Sequence, residues 1–525
     1  MAHSPLLVPS RNCWRVADAT RATVIVDAED YFRAARNAML KATEQILLVG
    51  WDFDARIHFK DERCDDNGPE KIGAFISWLT TRTPGLQVYI LRWDTGAIKT
   101  LFHGRTLLRI FKWIRDEQVH LRFDTNHPFG GSHHQQVLVI DDALAFCGGI
   151  DMTVDRWDTR KHSDDEPRRV EPNGSPYGPW HDATTMLEGP VAASLGELCR
   201  ERWRKSGGEI GAPTNQASGH WPDEIEPDFI NVAVGIARTI PEMPDQDSAH
   251  EIEALYLDLI ARAQRWIYAE SQYFASRKVA EAIAKRLEEA DGPEIVIVHP
   301  MTAEGWLEPI AMDSARARLV EALKERDVHG RLKLYHPYTA DGQPIYVHAK
   351  VTVVDDAILR VGSSNFNNRS LRLDTECDVV IEVDPEIDRM TSRAIAGIRN
   401  SLLAEHLNTD CATVEKFLEE TGSLINTIER LRSPGRSLYP YEVPEIDDVR
   451  TWLADNKILD PEGPAEMFEG ISQRKDLLHR VGRHQRLRSN NGKVDLLFVG
   501  VSLAAGAATI AAGIFLKHRR NHSHR

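Results

Sequence analysis

Residues 131–149 read GSHHQQVLVIDDALAFCGG and residues 345–363 read IYVHAKVTVVDDAILRVGS. Each copy has a histidine, a polar residue two places on, an apolar run, a pair of aspartates and a glycine-bearing return. Nothing else in the chain constrains its fold as much, because the segments leading into the two copies follow the same order. A helical pattern (DAEDYFRAARNAMLKATEQ; EIEALYLDLIARAQR) precedes a strand-like run (ILLVGWDFD; WIYAESQYF). Then come a helix (AFISWLTTR; KVAEAIAKRLEEA), a strand (LQVYILR; EIVIVHP), a helix (RTLLRIFKWI; ARARLVEALKE) and a strand (HLRFD; RLKLY). Asp27 stands at the N-cap position of the first helix.

Strands alternating with helices at these lengths predict α/β halves, each a mostly parallel sheet covered by helices. Two related halves predict a pseudo-twofold with the repeated motifs meeting where the halves touch. The expected layout is a first half over 1–205, a linker over 206–245 rich in Gly, Pro, Asn and Asp, and a second half over 246–405. Residues 159–179 read as a polar surface loop. Residues 406–495 form a helical and basic region, 496–516 an uncharged apolar run, and 517–525 a basic tail.

At 525 residues the chain calls for more than one ordinary core. Its formal net charge of −15 disfavours a general nucleic-acid binder, which needs a broad basic surface. The six cysteines form no CxxC pair and read as unpaired thiols of a reducing compartment. The N-terminus has no apolar run long enough for a signal peptide. Leu496–Leu516, LLFVGVSLAAGAATIAAGIFL, is 21 residues long and is expected to span a bilayer. Before it lies a basic cluster (Arg474, Lys475, Arg480, Arg483, Arg486, Arg488, Lys493), expected to attract anionic headgroups, and Lys517, Arg519 and Arg520 follow it. The heavier basic flank places the rest of the chain on the cytoplasmic side of that membrane.

In the second motif, period-two alternation sets His348 and Lys350 on one face of a buried strand. A histidine and a fixed positive charge side by side suit attack on a phosphate. Gly362 and Ser363 permit close backbone approach, and Asn365 can donate to a phosphoryl oxygen. In the first motif Gln136 takes the place of Lys350, offering N–H donors without charge.

The two copies resemble the HxKxxxxD signature of the phospholipase D superfamily over roughly residues 20–405, the second copy in full and the first except at Gln136. The resemblance implies two phospholipase D-like α/β halves with His134 and His348 facing each other across their interface. It implies a two-step displacement in which His134 is the nucleophile, forming a phosphohistidine, and His348 is the general acid and base. It also pairs Asp182 with His348 and Glu376 with His134, each carboxylate fixing the ring of the opposite half. Asp141 and Asp355 are expected to organise the strand ends rather than touch substrate, while Gln136, Lys350, Ser363 and Asn365 bind the phosphate. No metal or cofactor is required. Phospholipid is the expected substrate class, with hydrolysis or transphosphatidylation as the reaction. A cardiolipin-synthase-like transferase, a nuclease and a lipid-binding protein without activity stand as alternatives.

Overall fold

The computed structural model describes residues 5–93, 117–214, 219–244, 246–303 and 312–443. The first half runs β1 (Arg15–Val26), α1 (Ala28–Met39), β2 (Gln45–Gly50), α2 (Ile72–Arg82), β3 (Gln87–Trp93), β4 (Val119–Asp124), β5 (Gln136–Ile140), β6 (Leu144–Gly148), β7 (Trp180–His181), β8 (Ala183–Glu188) and α3 (Pro190–Lys205). The second half runs β9 (Phe229–Ile240), β10 (Ala249–His250), α4 (Glu251–Arg262), β11 (Trp266–Glu270), α5 (Arg277–Glu288), β12 (Glu294–Val298) and α6 (Ser314–Arg326). It continues through β13 (Leu332–Tyr338), β14 (Tyr346–Val347), β15 (Val351–Val354), β16 (Ile358–Gly362), β17 (Glu376–Glu382) and α7 (Arg389–His406). Helices α8 (Cys411–Thr421) and α9 (Leu424–Leu431) and strand β18 (Ser437–Pro440) follow.

The sheet order is β18-β13-β12-β11-β15-β16-β17-β9-β1-β8-β6-β5-β2-β3-β4, with β10 beside β9. With β18 set aside, each strand of one half has its counterpart at the mirrored place in the other. That is what a twofold between β1 and β9 requires, and those two strands pair antiparallel, Ala19 opposite Val232. Parallel pairs (β2 with β3, β3 with β4; β11 with β12, β12 with β13) lie at the outer flanks. The antiparallel motif strands lie between these flanks and the centre.

Alternation along the motif strands divides the core. Val137 and Val139 join Val351 and Val353 in one cluster shared by both halves and by α3, α7, α8 and α9. Leu138 and Ile140 face the other way, into a cluster with α1 and α2. Val354 and Ile358 do the same with α4 and α5. The halves thus share a core and a sheet, so neither buries its apolar surface alone.

Four expectations are corrected. The interval 206–245 is not only a linker, because it contains β9, a central strand; FINVAVGIARTI carries the strand pattern and the turn-forming composition is confined to its flanks. The loop 159–179 is not wholly a surface element, for His162 and Arg169 are buried with Asp158 between them as a common partner. Asp27 occupies the N-cap position of α1 without capping it; its φ is 66° and its side chain turns inward. Finally, no helix among the described residues is long and apolar enough to cross a membrane. The longest described helix, α7, has 18 residues and carries charged side chains along its length. The expected fold of two α/β halves plus a transmembrane helix therefore reduces to the two halves with a C-terminal helical extension. The anticipated span 496–516, its basic flanks and the helix expected over 105–114 lie outside the described residues.

All six cysteines are free, five of them buried.

Candidate active site

The motif histidines sit just before their strands, where two short parallel contacts cross between the halves. In one, Tyr346 and Val347 of β14 pair with Trp180 and His181 of β7, and the His348 amide donates to the His181 carbonyl at 2.8 Å. In the other, His133 bridges Thr375, and the His134 amide donates to the Thr375 carbonyl at 2.9 Å. Each histidine is thereby delivered beside the carboxylate that follows its partner residue. Asp182 Oδ2 lies 2.7 Å from His348 Nδ1. Glu376 lies 3.0 and 3.1 Å from His134 Nδ1 through its two oxygens. With both Nδ1 atoms engaged, Nε2 is the nitrogen left for chemistry. The imidazole centroids are 6.4 Å apart at 62°.

Small residues make these pairings possible. A Cβ on Gly149 would lie 2.3 Å from Asp182 Oδ1. At the equivalent place of the second half stands Ser363, whose hydroxyl donates to Glu376 Oε2 and accepts from the Cys377 amide. Ser363, expected at the phosphate, is thus committed to holding the carboxylate.

Asp141 and Asp355 lie at the far ends of the motif strands. Asp141 accepts from the amides of Thr43, Glu44 and Gln45 and from His220. Burial acts to raise the Asp141 carboxyl, but His220 and those amides outweigh it and hold it down to about 2. Asp355 accepts from the amides of Gln264, Arg265 and Trp266. Asp141, Asp142, Asp355 and Asp356 all have φ between 50° and 54°, the double left-handed bend of a tight hairpin, which aspartate tolerates better than most residues.

The two halves differ where the phosphate would sit. Lys350, fully buried, donates to the His348 carbonyl and lies 3.5 Å from Gln272 Oε1, which Asn365 Nδ2 also reaches at 3.3 Å. Burial pulls the Lys350 ammonium down to about 8 while Asp182 and Glu376 resist. In the first half Gln136 Nε2 donates to Asp151 Oδ2 at 3.2 Å, and Gln136 Oε1 is buried without a partner. Asp151 follows His134 as Asn365 follows His348. A lysine–asparagine pair in one half is therefore a glutamine–aspartate pair in the other. Burial, with Asp52 assisting and Arg156 opposing, pushes the Asp151 carboxyl up to about 6.

This asymmetry reaches the histidines. Burial and then Lys350 push His348 down to about 3 despite Asp182. Burial also acts to lower His134, but Glu376 outweighs it and holds the ring above the ordinary imidazole value. Trp180 packs on His348 with centroids 5.2 Å apart, and the Arg156 guanidinium lies 4.2 Å over the same indole. Arg156 is mostly buried, its Nε without a hydrogen-bond partner.

The structure thus gathers His134, His348, Lys350, Asp182, Glu376, Gln136, Ser363 and Asn365, and leaves Asp141 and Asp355 at the hairpins. Asp151 and Arg156 were not singled out from sequence. Aligning GGID against GSSN exposes Asp151; Arg156 has no counterpart in the second copy and no local signal.

A family model described as Phospholipase D matches residues 38–224, and one described as Cardiolipin synthase, PLD-like domain, matches residues 256–395. Phospholipase D alpha 1 of Vigna unguiculata is 24% identical over 80% of this chain and 68% of that protein. Phospholipase D alpha 1 of Brassica oleracea var. capitata is 23% identical over 86% of this chain and 72% of that protein. Among solved structures, the phosphatidylserine synthase of Haemophilus influenzae Rd KW20 aligns with a TM-score of 0.48 at 13% identity, covering 78% of this chain and 94% of that one.

Proposed function

Because the chain belongs to the phospholipase D superfamily, we propose that it cleaves the phosphodiester of a phospholipid through a phosphohistidine and passes the phosphatidyl group to water or to an alcohol. The observation that carries this reading is the pair of histidines from opposite halves, each with Nδ1 anchored on a buried carboxylate and their rings 6.4 Å apart.

The environments favour a division of labour opposite to the one the resemblance implies. A nucleophile must be neutral, and His348, next to Lys350, is the ring kept neutral. A general acid must hold a proton, and His134, where Glu376 outweighs both burial and the opposing charge of Lys350, is the ring that keeps one. His348 Nε2 attacks phosphorus, the bond to the head-group oxygen breaks, and His134 gives that oxygen its proton. His134, now neutral, takes a proton from water or an acceptor alcohol, whose oxygen attacks phosphorus and releases His348. Lys350 supplies one charge to the phosphoryl oxygens, and Arg156 supplies the second, in place of the lysine absent at Gln136.

The test is a substrate panel on the purified full-length protein: labelled phosphatidylcholine, phosphatidylglycerol and phosphatidylserine in mixed micelles, beside single-stranded DNA. Release of phosphatidic acid or a phosphatidyl alcohol is the expected result. Cleavage of the DNA alone, or turnover of nothing by folded protein, overturns the proposal. Trapped intermediate should carry phosphate on residue 348; phosphate on residue 134 reverses the roles.

A further inference from the structure

Four side chains from separate segments meet inside the protein beside Asp182. They are Asp27, between β1 and α1; His162, from the 159–179 loop; His181, of β7; and Glu405, near the end of α7. Their exposures are 1, 1, 0 and 7%. None touches the groups assigned to the phosphodiester chemistry through its side chain except Asp27, which accepts from the Asp182 amide at 3.1 Å.

The donor atoms are spaced like the corners of a small polyhedron. His162 Nε2 lies 3.0 Å from Glu405 Oε1 and 3.5 Å from Asp27 Oδ2. His181 Nδ1 lies 2.9 Å from Glu405 Oε1 and 3.3 Å from Asp27 Oδ1. Zinc bonds to nitrogen and oxygen of about 2.0–2.1 Å give tetrahedral edges of about 3.3–3.4 Å, within the range of these separations, and one ligand atom from each of the four residues lies within 4.8 Å of the others. As a hydrogen-bond network the same atoms are incomplete. His181 Nδ1 and Asp27 Oδ2 are buried and lie at ion-pair distance from their neighbours, yet neither makes an aligned hydrogen bond, a geometry that burial penalises.

The surrounding groups are arranged as a second layer around a cation. His162 Nδ1 meets Asp158 Oδ2 at 2.9 Å and His181 Nε2 meets Glu270 Oε2 at 2.9 Å. A carboxylate on the far nitrogen is the usual support of a ligating imidazole, and it leaves His162 Nε2 and His181 Nδ1 as the ligating atoms. Arg160 pairs with Glu405 and Arg169 with Asp158. Arg436 is held by the carbonyls of Lys161 and Arg160. Among the described residues this leaves Asp27 and Glu270 with no guanidinium hydrogen-bonded to them, two formal charges that a divalent ion offsets.

We propose that Asp27, His162, His181 and Glu405 bind one divalent transition-metal ion, with zinc the best match to two imidazoles and two carboxylates at tetrahedral spacing. Four protein ligands with no open position make it a structural site. It ties the turn after β1, the 159–179 loop, β7 and the last turn of α7 together, and so fixes the backbone that carries Asp182: the Asp27 amide donates to the Asp182 carbonyl at 2.8 Å.

Untagged full-length protein, produced in zinc-supplemented medium, should contain about one equivalent of zinc by elemental analysis. Its zinc-edge X-ray absorption should show two imidazole nitrogens and two oxygens. Stripping with a strong chelator should lower Tm, and zinc alone should restore it. His162→Ala and the milder Glu405→Gln should each lose the metal. Folded wild type with under a tenth of an equivalent of any transition metal, and no Tm response to added zinc or manganese, overturns the site. So does zinc retained undiminished in Glu405→Gln.

Discussion

At the scale of single residues, the first motif is decided by a pair rather than by Gln136. Gln136 faces Asp151, so a lysine placed at 136 would meet a buried carboxylate and spend its charge there. Gln136→Lys alone should therefore gain little turnover, whereas Gln136→Lys with Asp151→Asn should raise kcat several-fold, as a charge-assisted contact replaces a neutral one. A large gain from the single variant would show that Asp151 does not hold residue 136. Asp151 itself makes a pH prediction. Its folded pKa, about 6, lies above its unfolded value, so its stabilising contribution is complete at acid pH and is lost as pH rises through about 6. Asp151→Asn should accordingly stabilise the protein on the order of 2–3 kcal/mol at pH 8 and far less at pH 4, measured by denaturant titration at both. His134, the proposed proton donor, makes another. Since Glu376 holds His134 above its usual value, Glu376→Gln should move the alkaline limb of kcat/KM to lower pH; an unmoved limb would assign it to another group.

Among elements, the cross-half contacts do the positioning. Two residues of β14 on β7, and a single bridge at His133, set each histidine against the carboxylate of the other half. Gly149, after β6, leaves room for Asp182 in that arrangement. Gly149→Ala should push Asp182 off His348 and cut kcat by about 10²-fold, a loss comparable to removing one preorganised group. KM should change little, because the phosphate-binding residues stay in place. A variant with normal kcat would show that the carboxylate tolerates displacement. The same elements explain why β9 escaped a reading by composition. Its flanks are rich in turn residues, and only its place between β1 and β17 shows that the strand is central.

On the scale of the whole molecule, the sheet runs unbroken from β18 to β4 and the central core takes side chains from both halves. The halves should not behave as separate folding units. The two halves joined by this sheet are expected to unfold in one cooperative transition by calorimetry, with two resolved transitions as the contrary result. The active site has the same indivisibility. His134→Asn, His348→Asn and the double variant should all show about the same residual turnover, because in the proposed reaction acid and nucleophile act as one unit and their losses do not add. Half-activity in either single variant would mean two independent sites.

What the sequence determined by itself was set by local rules and repetition. Alternation along VLVI and VTVV made buried strands, the paired aspartates made the hairpins, and the matched order of elements made two α/β halves. Those features depend on residues close in the chain. Only the tertiary structure decided which residue meets which across 242 positions, as His134 meets Glu376. It also set Gln136 on Asp151, lowered the His348 imidazole by burial beside Lys350, and drew His162 from an apparently polar loop into a buried cluster with Asp27, His181 and Glu405. Burial and long-range charge set those properties, and neither is encoded in the spacing of residues along one segment.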